Sequence, residues 1–276
     1  MERRHMLGLL GSAPLGMAFT RYSQPEEKKV TGRKKYLVEA HRGNSGQAPE
    51  NTLISFHEAI EIGVDRVEAD LEFTADEQLI VLHDNSVDRT TNGTGKAAGM
   101  AYSEIRKLDA GSWKAPKYAG EYVPLLAEVF EICKGKVMIN IDLKNIKAVP
   151  KFVKLVKDMD MSEHVVMTGL IPQATSQIRE LGENLTMFYE SSESFYEKLN
   201  QGKTDEAIRT AVTEARRLNL PGFLFKSDWV TPEVVYLAHC HGLAVNVWSV
   251  DTLERAEKMF DADVDAIMTD YPELFV

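Results

Sequence analysis

From Tyr36 to the C-terminus, short apolar runs alternate with segments whose apolar residues recur every three to four positions. The runs Tyr36–His41, Arg66–Leu71, Val137–Leu143, His164–Thr168, Leu185–Glu190, Phe223–Lys226, Ala244–Ser249 and Ala266–Thr269 are mostly near-continuous rather than alternating. Parallel strands covered on both faces read this way. Between them, Thr52–Ile62 places Leu53, Phe56, Ala59 and Ile60 on one stripe, and Gly63 stops it. Val149–Met159, Ala174–Leu181, Asp205–Leu218, Pro232–His241 and Leu253–Phe260 are amphipathic in the same way. Eight strands with helices between them predict an α/β fold, a (β/α)8 TIM barrel.

One segment breaks the alternation. Leu79–His83 reads as an added strand, too close behind Arg66–Leu71 to be reached through a helix. A tight hairpin with its turn at Asp76-Glu77 places Asp70 opposite His83 and Glu72 opposite Val81. Glu68, Asp70 and His83 then share one face, and a slip of one residue would send His83 to the other. Asn85–Tyr122, rich in Gly, Thr and Ser, reads as a small insertion after the second strand, passing over one end of the barrel.

Composition narrows the class. A chain of 276 residues, 44% hydrophobic and 27% charged, suits one large domain and excludes disorder, collagen and coiled coil for most of its length. Two cysteines exclude a disulfide scaffold; Cys133 and Cys240 read as buried thiols, with a single bridge left open. The net charge of -10 is unevenly spread: residues 1–35 hold eight Lys/Arg against three Glu, which leaves the rest at -15. A body that acidic excludes nucleic acid as a general partner. A small anionic substrate then needs locally placed cations or a metal.

The chain opens on a short basic start and the uncharged stretch Met6–Phe19. As a helix it would reach only about 21 Å, too short to cross a bilayer. This is the shape of an export signal, with Gly16-Met17-Ala18 as a cleavage site, and the expected location is periplasmic or extracellular. No cysteine follows for a lipid anchor, so no stable membrane anchor is expected. The alternative is an unstructured start on a cytoplasmic protein. Residues 1–35 are therefore expected to be signal and linker, and residues 36–276 the folded domain.

The polar residues of the strands gather at their C-terminal ends, where barrel active sites are built. His41-Arg42-Gly43 ends the first strand, Glu68-x-Asp70 the second, His83-Asp84 the hairpin strand and Asp142-x-Lys144 the next core strand. Residues two apart on a strand face the same way. Three converging carboxylates, Glu68, Asp70 and Asp142, repel one another unless a cation neutralises them. Oxygen-only ligands suit one hard divalent ion, Mg2+ or Ca2+. His41 and His83 can act as general acid and base. Arg42 and Lys144 supply fixed positive charge for a phosphate. Together these describe phosphoester cleavage. Taken singly, each residue has a blander reading as a core histidine or a solvated strand edge; their coincidence at adjacent strand ends outweighs it. Trp248, late on the seventh core strand, can line a substrate pocket, whereas Trp113 and Trp229 read as packing residues. His5, His57, His164, His239 and His241 carry no such pattern.

These residues resemble a known family. HRGNSGQAPENT (41–52) is similar to the opening motif of glycerophosphodiester phosphodiesterases, as is VEADLEFTADEQLIVLHD (67–84), followed by Asp88-Arg89-Thr90-Thr91 and Gly93. LDAGSW (108–113), GEYVPLLAEV (120–129), NIDLK (140–144), NVWSV (246–250) and DAIMTDYPE (265–273) resemble its later blocks in order. The resemblance runs from Tyr36 to the C-terminus. It implies a TIM barrel with a small insertion that hydrolyses glycerophosphodiesters, its small-molecule substrates, to glycerol 3-phosphate and an alcohol. It also implies His41 and His83 as catalytic, Glu68 and Asp70 as metal ligands, and Arg42 and Lys144 at the phosphate. Asp142 stands where the family commonly has Glu, and Asp76-Glu77 replaces the usual Asp-Gly. The expected mechanism has His41 as base and His83 as acid, attacking with water or with the glycerol's neighbouring hydroxyl. The alternatives are a lysophospholipase D on the same barrel and a non-catalytic binder of phosphodiesters.

Overall fold

The computed structural model describes residues 36–169 and 172–276. The expected signal and linker, His5 included, lie outside them. The strands are β1 (Leu37–Ala40), β2 (Arg66–Phe73), β3 (Leu79–Val81), β4 (Met138–Leu143), β5 (Val165–Thr168), β6 (Thr186–Met187), β7 (Tyr189–Glu190), β8 (Gly222–Lys226), β9 (Ala244–Trp248) and β10 (Ala266–Thr269). Their order across the sheet is β6-β5-β4-β2-β1-β10-β9-β8-β7, with β3 attached to β2. All pairs but β2–β3 are parallel. The expected strand Leu185–Glu190 is broken at Phe188 into β6 and β7, which pair with β5 and β8 respectively. Counting that pair as one strand gives the eight of a nearly closed TIM barrel.

Helices Leu53–Ile62, Leu126–Cys133, Val149–Asp158, Pro172–Glu180, Glu193–Asn200, Thr204–Arg217, Pro232–Cys240 and Leu253–Asp261 cover the strands. The first follows its sequence signals closely. Thr52 caps it, accepting from the Ser55 amide at 3.4 Å, and Gly63 ends it at φ 91°. It buries Phe56 and Ala59 completely, and a Phe side chain so buried contributes roughly 1.5–3 kcal/mol. Leu126–Cys133 and Glu193–Asn200 were not marked by the apolar period; both have eight residues, little more than two turns. No helix among the described residues is long and apolar enough to cross a membrane.

The hairpin differs from expectation by one residue. Leu71 faces Val81, Glu72 faces Ile80 and Phe73 faces Leu79. The cause is a three-residue loop, Ala75 to Glu77, instead of a two-residue one. Thr74 N donates to Gln78 O (3.0 Å) and Glu77 N to Thr74 O (2.9 Å), while Glu77 takes φ 58°. That is a turn closed by a left-handed residue, the usual three-residue solution. The slip does not expel His83, because β3 ends at Val81. Leu82 N still donates to Asp70 O at 3.0 Å, but the chain then leaves the ladder, and strand alternation no longer sets the direction of His83. The insertion that follows buries Ile80, Leu82, Val87, Ile105 and Val123 in a small core of its own. It is tied to the loop after β1 by Lys114 Nζ on Ser45 O (2.7 Å) and Tyr118 Oη on Gln47 O (3.2 Å).

Two expected packing roles are corrected. Trp113 is 41% exposed, because its indole N–H is satisfied locally by Ala110 O at 2.8 Å and the ring lies on the insertion's surface. Cys133 is buried but Cys240 is exposed at the end of its helix, and neither is bridged. Trp229 does pack against the main core.

Candidate active site

Strand register builds the site. In the β2–β4 ladder Asp70 is the direct neighbour of Asp142, and in the β4–β5 ladder Asp142 neighbours Thr168. Glu68 lies two residues behind Asp70 on the same face. Ligand oxygens of Glu68, Asp70 and Asp142 lie within 4.8 Å of one another. Beneath them the interior is also polar: Arg66 Nε meets Glu39 Oε2 at 2.8 Å and Asn140 Nδ2 donates to Glu39 Oε1 at 2.6 Å, all buried.

The turn after β1 is shaped to reach this cluster. Arg42 and Gly43 both have positive φ, 58° and 79°. A Cβ on Gly43 would lie 2.4 Å from Ser55 Oγ and 2.6 Å from the Ser55 backbone carbon, so only glycine lets the turn sit on the helix start. Held there, Arg42 N donates to Glu68 Oε2 at 2.9 Å and Arg42 Nε approaches Asp70 Oδ2 at 3.1 Å. Lys144 Nζ reaches Asp70 Oδ1 at 2.7 Å, Asp142 Oδ2 at 3.5 Å and His83 O at 3.1 Å. Asn51 Nδ2 adds a bond to Asp70 Oδ2 at 2.7 Å.

The electrostatics follow from burial and these pairs. Burial, with Asp70 and Asp142 beside it, pushes the Glu68 carboxyl well above its usual range despite Arg42. Asp142 is pushed up to about 6, first by burial and then by Asp70 and Glu190, with Lys144 opposing. For Asp70 burial also pushes up, but Lys144 and Arg42 outweigh it and the carboxyl lies below its usual range. Two of the three carboxylates thus resist ionising, as expected for oxygens grouped for a cation and not for one another. The donor set is oxygen only, which fits a hard divalent ion.

Each histidine carries a carboxylate on Nδ1. His41 Nδ1 lies 2.6 Å from Asp270 Oδ1, which also accepts from Ser45 Oγ at 2.9 Å. His83 Nδ1 lies 2.6 Å from Asp84 Oδ1. Burial pushes Asp270 up, yet the bond from His41 and its neighbours hold it below the usual carboxylate range. The Arg89 hydrogen bonds hold Asp84 well below that range, against burial. Ionised carboxylates only accept, so each Nδ1–H donates and Nε2 is left as the free ring nitrogen.

His41, Arg42, Glu68, Asp70, His83, Asp142, Thr168, Glu190, Leu224, Trp248 and Met268 line one cavity of about 60 Å³. Lys144 touches it through Asp70 and Asp142. All eight residues singled out from the sequence are thus brought together. Trp248 Nε1 is buried with no acceptor among the described residues. Asp270, Glu50, Asn51 and Glu190 were not singled out, and Asp84 and Arg89 were named without a role. Asp270 stands one residue past β10 and Glu190 ends β7, so the same strand-end rule marks them. Of the remaining histidines, His57 is exposed, and His239 pairs with Asp265 at 2.9 Å.

Fold and site first define a class: TIM-barrel enzymes with their charged groups at the C-terminal ends of the strands. Residues 41–274 match the glycerophosphoryl diester phosphodiesterase family, and the chain belongs to it. It is 35% identical over 248 residues to a glycerophosphodiester phosphodiesterase of Caldanaerobacter subterraneus, covering 88% of this chain and 97% of that one. A glycerophosphodiester phosphodiesterase from Agrobacterium tumefaciens superposes with TM-score 0.73 at 26% identity, covering 87% and 98%. An Oleispira antarctica phosphodiesterase, solved with the product sn-glycerol-3-phosphate, gives TM-score 0.73 at 26% identity, covering 86% and 94%.

Proposed function

We propose that the protein hydrolyses glycerophosphodiesters to glycerol 3-phosphate and an alcohol, using a divalent cation held by Glu68, Asp70 and Asp142 and the pair His41 and His83 as acid and base. The observation that carries this reading is the single cavity in which two carboxylate-backed histidines flank three grouped carboxylates. When bound, Mg2+ or Ca2+ would supply Lewis-acid polarisation of a phosphate oxygen. With a dication bound and all three carboxylates ionised, they and Arg42 and Lys144 would together carry +1, a match for a phosphodiester monoanion. Arg42 and Lys144 orient that phosphate. Trp248, which lines the cavity, offers its ring to one arm of the substrate.

His41, with Nδ1–H on Asp270, takes a proton at Nε2 from the attacking hydroxyl, and Asp270 stabilises the imidazolium formed. His83, which must enter the reaction protonated on both ring nitrogens and is steadied by Asp84 at Nδ1, gives its Nε2 proton to the leaving alcohol. The attacking hydroxyl belongs either to water, which gives glycerol 3-phosphate directly, or to the glycerol itself, which gives a cyclic phosphate that water then opens to glycerol 3-phosphate. The start of the chain supports reading residues 1–35 as export signal and linker; a mature N-terminus found within residues 17–20 of secreted material tests it. The substrate reading is tested by turnover of glycerophosphocholine against lysophosphatidylcholine. Glycerol 3-phosphate from the first is expected, and choline release from the second alone would move the protein to the lysophospholipase D reading.

A further inference from the structure

The motif Asp88-Arg89-Thr90-Thr91 takes no part in the chemistry above, yet Arg89 lies at the edge of the site. Its guanidinium makes four charge-assisted bonds to two carboxylates. Nε donates to Asp84 Oδ2 at 2.7 Å and Nη2 to Asp84 Oδ1 at 3.2 Å. Nη1 donates to Glu50 Oε2 at 2.7 Å and Nη2 to Glu50 Oε1 at 2.8 Å. Glu50 Oε1 also accepts from Arg42 Nη1 at 2.9 Å. A continuous chain therefore runs from Arg42 through Glu50, Arg89 and Asp84 to His83 Nδ1. The backbone that carries Arg89 is itself fixed: Val87 is fully buried in the insertion's core, Thr91 Oγ1 donates to Val87 O at 2.7 Å, and Gly95 N donates to Asp88 Oδ2 at 3.0 Å.

We propose that Arg89 is a positioning residue for the reaction: it clamps Asp84 to Glu50, and through Asp84 fixes the orientation of His83. The proposal rests on His83 being one of the acid–base pair. A guanidinium fork can hold two carboxylates in fixed relative places, which a point charge cannot. Four of its five N–H donors are spent on Glu50 and Asp84, so it is poorly placed to serve as a further phosphate ligand. The clamp also joins two loops, the one after β1 that carries Glu50 and the excursion after β3 that carries Asp84 and Arg89, and gives the insertion a part in the chemistry without touching substrate.

The test is a double-mutant cycle on the metal-loaded protein with glycerophosphocholine: Arg89→Met, His83→Ala and both together, reading kcat and KM separately. Loss of the clamp frees His83 to swing, and misplacement of about 1 Å costs on the order of 10² in rate. Arg89→Met should lower kcat by that order with KM unchanged. In the His83→Ala background it should cost nothing more, because it acts through the missing ring. Arg89→Lys, with the charge but not the fork, should recover part of the loss; it also carries the cycle if Arg89→Met fails to fold. A raised KM with kcat kept, losses that multiply in the double variant, or an Arg89→Met of normal kcat would each overturn the proposal. Near-normal turnover by His83→Ala alone would instead overturn the reading on which it rests, and the proposal with it.

Discussion

Gly169, just beyond β5, faces Asp142, and Gly169→Ala isolates the geometry of the cluster without changing any charge. A Cβ at this position would lie 1.7 Å from Asp142 Oδ1 and 2.9 Å from its Cγ. Ordinary contact needs roughly 2 Å more, so the carboxylate must swing away or the loop must move. The residue also has φ +67°, where a side chain costs about 1–2 kcal/mol, a fall in Tm of a few degrees. The two effects separate by assay. Differential scanning calorimetry reads the strain. Isothermal titration with Mg2+ or Ca2+ and steady-state turnover read the displaced ligand. A shift of more than 1 Å in one of three metal-holding carboxylates should lower metal affinity and reduce kcat/KM on the order of 10² or more at limiting metal. A Gly169→Ala protein that binds metal as tightly as wild type and turns over normally would refute the claim that Asp142, in this position, holds the ion.

Glu68→Gln should remove the metal-induced rise in Tm yet leave the metal-free Tm equal or higher, because burial and like charge already hold the Glu68 carboxyl toward its neutral form, which glutamine imitates; a clear fall in metal-free Tm would contradict this. His41→Ala and His83→Ala should each cost on the order of 10²–10⁴ in kcat while still binding metal. A p-nitrophenyl ester, whose leaving group needs little protonation, should rescue His83→Ala and not His41→Ala; the opposite pattern would exchange their roles. Asp142 titrates at about 6 in the metal-free fold against 3.8 as its reference, so the folded state keeps its proton to higher pH. Rising pH between those values therefore weakens the metal-free fold, while a cation needs the ionised form. The Tm gained on adding metal should grow between pH 5 and pH 7 and then level; a gain undiminished at pH 5 would contradict it.

The elements legible from the pattern were those whose faces the pattern reports. The barrel strands and the Thr52-capped helix show their period and caps within a few residues. Glu68, Asp70, Asp142 and Lys144 were legible because strand spacing alone puts them on one face at one end. The hairpin register was not, because it depends on whether Glu77 accepts a left-handed backbone, and the Thr74–Gln78 closure that makes it do so is visible only in three dimensions. His83 reached the site for a reason other than register, by leaving the ladder. Asp84 stands next to His83 in the chain, but the carboxylate behind His41 was hidden for another reason. Asp270 is 229 residues from His41, and only closure of β1 onto β10 brings them together. The buried Glu39–Arg66–Asn140 layer was read as part of apolar strands, since one polar residue in a run does not show that its partners face it.

The central claim is that the grouped carboxylates hold the ion on which phosphodiester hydrolysis depends. The direct measurement is release of glycerol 3-phosphate from glycerophosphocholine by protein stripped with EDTA, before and after adding back Mg2+ or Ca2+ singly. No turnover after stripping, restored by one of the two ions in wild type but not in Glu68→Gln, is the predicted result. Full turnover by the stripped protein with chelator present would contradict it.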